Sequence, residues 1–79
     1  MRILDEVSDM SLENVILYLT ISEASELRDS IDELLKKPLN NHGHVSSENF
    51  QKEITVCIYD LTNLDEFNER SKDLIINDK

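Results

Sequence analysis

The chain has one cysteine, one proline, one glycine and no tryptophan among its 79 residues. A single cysteine excludes any disulfide within the chain. Cys57 lies in an apolar run, where a thiol is expected to act as a small buried hydrophobe, as suits a reducing compartment. A single glycine excludes Gly-rich phosphate loops and dinucleotide fingerprints. No G-x-S-x-G turn surrounds Ser46 or Ser47, so no activated nucleophile is legible. Positive charge is also scarce: eight Lys+Arg stand against seventeen Asp+Glu, a net charge of −9. Nucleic acids and anionic membranes both call for clustered Lys and Arg, so neither is an expected partner. No apolar run approaches the roughly 20 residues that span a bilayer. The start, Met1 to Glu6, lacks the apolar stretch of a signal peptide, and the expected location is the cytoplasm.

What is present reads as one small α+β domain over residues 1–79. The chain is 39% hydrophobic and 32% charged, outside the disordered class. A core this small gives an expected stability of roughly 5 kcal/mol or less. A homodimer is one expected supplement in this size class.

Val15-Ile16-Leu17-Tyr18-Leu19 reads as a buried strand because it is short, apolar and β-branched. Thr20 with Glu23 has capping-box spacing and predicts a helix start. Ala24, Leu27, Ile31, Leu34 and Leu35 then share one helical face. Asp32 with Lys36 and Glu33 with Lys37 are acid-before-base pairs at i,i+4, and Pro38 is placed to end the helix. Residues 39–51 read as a polar connection. Ile54, Val56 and Ile58 alternate with Thr55, Cys57 and Tyr59, the period of a half-buried strand. Thr62 or Asn63 offers the next helix start, with Leu64, Phe67, Ser71, Leu74 and Ile75 on its inner face. Ile3, Leu4 and Val7 suggest a short strand hairpinned onto residues 14–20. The expected order is β-β-α-β-α, a two- or three-stranded sheet covered by two amphipathic helices. The pairing of the two main strands is expected to be antiparallel. Tyr18, Phe67 and Phe50 are expected in the core.

Two constellations carry chemistry. His42-Gly43-His44 sets two imidazoles two residues apart, a spacing that suits Zn²⁺, Ni²⁺ or Cu²⁺, with Glu48, Asp60 or Cys57 as a further ligand. The plain alternative is a loop histidine held by hydrogen bonds beside a solvated one. Imidazole also changes charge within the physiological range, so the pair suits a pH-sensitive partner contact. Glu26, Asp29 and Glu33 fall on the polar side of the first helix. They form either a solvated surface or a docking face for a basic protein, with His42 and His44 at a second contact region.

The segments Glu26 to Leu35, His42-Gly43-His44-Val45, Glu53 to Tyr59 and Phe67-Asn68-Glu69-Arg70-Ser71 together resemble a pattern found in short bacterial and phage-encoded proteins. The resemblance spans Leu17 to Ile75 and implies a bacterial or phage setting. It carries no activity and transfers no catalytic residue. The expected function is therefore a non-enzymatic protein-binding module of the inhibitor, immunity or anti-defence type. The alternative is a metal- or small-ligand-binding regulatory domain built on His42 and His44, at a dimer interface.

Overall fold

The computed structural model describes residues 1–37, 42–60 and 62–79. The contacts divide the chain into two units, Tyr18–Asp60 and Met1–Leu17 with Leu61–Lys79. The described residues are α+β: β1 (Ile3–Asp5), β2 (Met10–Leu12), α1 (Ile21–Lys36), β3 (His42–Ser46), β4 (Glu53–Cys57), a short 3-10 helix (Leu64–Glu66) and α2 (Glu69–Asn77). The strands form two separate antiparallel pairs, β1–β2 and β3–β4.

In the unit Tyr18–Asp60, α1 begins where the capping chemistry predicts. Thr20 Oγ1 accepts the Glu23 backbone N–H at 3.1 Å, and Glu23 Oε1 accepts the Thr20 N–H at 2.9 Å. Near its end, Lys36 pairs with Asp32 and Lys37 with Glu33, both at 2.7 Å. The role of Pro38 as a terminator lies outside the described residues. Opposite α1, β3 and β4 pair in the register His42↔Cys57, His44↔Thr55 and Ser46↔Glu53. Ser47 closes their connection, its Oγ accepting the N–H groups of Gln51 and Lys52.

Alternation along a strand sends Gly43, Val45, Ile54 and Val56 to the face that α1 covers. Leu34 and Val45 are buried there. A Cβ on Gly43 would collide with Ser30 Oγ, a hydroxyl that can turn away, and would touch Leu34 Cδ1, so α1 lies close to β3 here. The helix is turned accordingly. Glu23, Leu27, Ser30 and Leu34 form its inner stripe, while Ala24, Ile31 and Leu35 stay exposed. The expected apolar face of Ala24, Leu27, Ile31, Leu34 and Leu35 is thus split between core and surface.

Several strand and core expectations are corrected. Residues 14–20 carry no regular element, and Tyr18 is 89% exposed. A strand needs a neighbour for its N–H and C=O groups. Here β4 finds one in β3 through a short local connection, which costs less closure entropy than a partner some forty residues away. The polar connection is half strand, because His42-Gly43-His44-Val45-Ser46 alternates polar out and small or apolar in. Phe50 is 85% exposed on a left-handed backbone in the β3–β4 turn, with φ 58°. Cys57 faces outward from β4 and is exposed.

The other unit is held largely by polar groups. β1 pairs with β2, Ile3↔Leu12, and not with residues 14–20. Asp5 Oδ1 accepts the N–H groups of Val7 and Ser8 in their turn, and Asp9 adopts a left-handed φ of 58°. Hydrogen bonds from Ser8, then from Val7, hold the Asp5 carboxyl below its usual range. The second helix starts later than expected. Asn63 makes no side-chain cap, whereas the Asn68 side chain accepts the Ser71 N–H at 2.8 Å. Leu74 is buried, and Phe67 is half-buried. Two arginines tie the β1–β2 hairpin to α2. Arg2 Nε donates to the carbonyls of Leu74 and Ile75 at 3.0 and 3.3 Å, near the helix end where cations are favoured. Arg70 reaches Asp9 Oδ1 at 2.6 Å and the carbonyls of Asp9 and Lys79, each at 3.1 Å.

Two substitutions probe these supports by urea unfolding. Arg70→Ala is expected to cost about 1.5–3 kcal/mol, the range for hydrogen bonds to a charged group, with Lys72→Ala near neutral. Gly43→Val is expected to cost about 1–3 kcal/mol by pushing α1 outward, and Gly43→Ala less, because the Ser30 hydroxyl can turn away. Combining Gly43→Ala with Ser30→Ala should recover part of the loss, a coupling readable in a double-mutant cycle.

Candidate functional site

Three surfaces of the unit Tyr18–Asp60 carry polar chemistry. The first is the outer side of α1. Glu26, Asp29 and Glu33 recur at three and four residues and all are exposed, forming one flank of the helix. Glu26 has no ion-pair partner among the described residues. Asp29 pairs with Arg28 at 3.0 Å and Glu33 with Lys37 at 2.7 Å. Hydrogen bonding to its carboxylate raises the pKa of Lys37, and Asp32 does the same for Lys36. Such solvated pairs contribute little to stability and are readily exchanged for a partner's cation. The other flank of α1 carries Ile21, Ala24, Ile31 and Leu35, all exposed. The pair Asp32–Lys36 runs between the two flanks.

The second surface is the face of the hairpin turned away from α1. Because Gly43 and Val45 point inward, His42 and His44 point outward together, beside Glu53, Thr55 and Cys57 of β4. The two imidazoles meet edge to face with ring centroids 5.2 Å apart. His44 Nδ1 lies 2.6 Å from Glu53 Oε1 and 2.9 Å from Thr55 Oγ1. A carboxylate only accepts, so Nδ1 carries the proton and Nε2 is left with its lone pair in the neutral ring. Cys57 stands opposite His42 in the register. Its sulfur is accessible, yet its surroundings desolvate it enough to push the thiol pKa up. Among the described residues no three His, Cys, Asp or Glu side chains gather into a metal-holding group. The histidine pair lies on the face of the hairpin turned away from α1, and the acidic stripe on one flank of α1. Glu48 and Asp60, the other suggested ligands, do not join the histidines in such a group.

The third surface is an open groove of about 350 Å³ between the start of α1 and the β3–β4 turn, lined by Tyr18, Thr20, Glu23, Ser47, Glu48, Asn49 and Lys52. Glu23 bridges it. Its Oε1 completes the helix cap while its Oε2 accepts the Glu48 backbone N–H at 2.8 Å. Hydrogen bonds from the backbone of Thr20 and then of Glu48 hold its carboxyl below the usual value of 4.5. Among the described residues no polar or charged side chain is buried.

Sequence reasoning missed Glu53 and Thr55 as partners of His44, and it missed the exposed stripe Ile21, Ala24, Ile31, Leu35. The signal for the first pair was the two-residue alternation of His42-Gly43-His44-Val45-Ser46, in which glycine stands at a small inward position. No family model matches the chain, and no curated protein or solved structure gives a significant match. Among the described residues no helix is long and apolar enough to cross a membrane.

The Glu23 bridge predicts an acid-sensitive contact. Its folded pKa is depressed, so its stabilisation is present above the unfolded value near 4.5 and is lost as pH falls through the folded value. Urea midpoints measured from pH 7 down to about pH 3 should show that loss, and Glu23→Gln should flatten it.

Proposed function

We propose that this chain is a small protein-binding module whose partner presents a basic surface to the outer side of α1. The observation that carries this reading is the exposed stripe Glu26, Asp29, Glu33, with Ile21, Ala24, Ile31 and Leu35 uncovered on the opposite flank of the same helix. The acidic flank supplies steering and register, and the uncovered apolar flank supplies area to desolvate. The net charge of −9 favours a cationic partner over long range. Residues 1–35 hold nine acids and two bases, so α1 up to Leu35 lies in the most negative segment of the chain. An inhibitor, immunity or anti-defence protein works in this manner, by covering a basic site on its target. Catalytic chemistry gains no support from the described residues, whose titratable side chains are all solvated or half-solvated.

The test is capture from a host lysate by wild-type chain and by the triple variant Glu26→Lys, Asp29→Lys, Glu33→Lys, at about 0.05 and 0.5 M salt. Capture of a basic protein that falls at high salt and is lost in the triple variant supports the reading. Circular dichroism should show the helix intact in both chains. An unchanged set of captured proteins in the triple variant makes the stripe a solvated surface and nothing more.

A further inference from the structure

The outer face of the β3–β4 hairpin goes beyond the reading of α1. We propose that His42 and His44 form half of a zinc-type metal site, completed by the same two histidines of a second copy of the chain.

Three observations carry it. The pair has the right separation: two imidazoles bound to one tetrahedral zinc at about 2.0–2.1 Å have ring centroids roughly 5 Å apart, and these lie 5.2 Å apart. The orientation of one ring is already set. Glu53 and Thr55 hold His44 by Nδ1, which turns Nε2 into the metal-facing nitrogen. A carboxylate behind a ligating imidazole is the recurrent outer support of zinc histidines. The set is also incomplete in one chain, since no third His, Cys, Asp or Glu converges with the pair among the described residues. A two-fold axis through the metal doubles two ligands to four, the coordination of a closed structural zinc site.

The occupant is a borderline-soft divalent ion, because imidazole nitrogen suits Zn²⁺, Ni²⁺ and Cu²⁺ and not Mg²⁺ or Ca²⁺.

The experiment is sedimentation equilibrium of the full chain with ZnCl₂, with MgCl₂ and with neither, and zinc counted by elemental analysis after dialysis. The expected result is a doubled mass with zinc alone, one zinc per two chains, reversed by EDTA. His42→Ala and His44→Ala each abolish the doubling, with circular dichroism unchanged because both side chains are exposed. Glu53→Gln, which keeps the shape and removes the carboxylate, weakens zinc affinity about tenfold or more. The proposal is overturned by zinc held at one per chain with no change in mass. It is equally overturned by doubling that survives in the double histidine variant, or by doubling with MgCl₂, which would assign the association to carboxylates.

Discussion

The close approach of α1 to the β3–β4 hairpin at Gly43 sets which residues of each element face the other. With Ser30 Oγ occupying the space where a Cβ would project, the helix settles close enough for Leu34 and Val45 to be buried. That choice fixes two further things at once. Along β3, residues next to an inward Gly43 must point outward, so His42 and His44 emerge together on the far face. Around α1, the inner stripe becomes Glu23, Leu27, Ser30 and Leu34, and the neighbouring apolar positions are turned into solvent. Both candidate surfaces are thus consequences of one close approach.

The apolar core of each unit is small. Leu34 and Val45 in one unit and Leu74 in the other are the buried hydrophobics among the described residues. At about 25 cal/mol per Å², so little full burial leaves a narrow margin over chain entropy. Polar groups carry much of the remaining order. Arg2 and Arg70 fasten the β1–β2 hairpin to α2 through main-chain carbonyls, and Glu23 joins the α1 cap to the β3–β4 turn with its two oxygens. Hydrogen bonds of this kind specify geometry more than they add net stability. Uncovered Ile21, Ile31 and Leu35 on α1 are a reserve of apolar area that association would use.

Legibility from sequence followed how local each interaction is. The α1 cap, its length and its closing ion pairs were all readable, because each joins residues three or four apart. The alternation of Ile54 and Val56 in β4 was readable for the same reason. Strand pairing was not. Val15 to Leu19 has strand composition and no partner, while His42 to Ser46 has loop composition and an adjacent partner, and the partner decides. Thr62 or Asn63 was the expected start of the second helix, whereas Asn68, with an equally suitable side chain, caps α2. Of the candidate sites, the residues were legible and their juxtaposition was not. His42 and His44 were singled out by spacing, but Glu53 behind His44 follows only from the β3–β4 register.

Register also explains why the two surfaces can serve separate ends. The acidic stripe lies on one flank of α1, and the histidines lie on the face of the hairpin turned away from α1. A packed route within this unit runs from β3 through Gly43 and Val45 into Ser30 and Leu34, which is where a change of spacing would be felt on both sides.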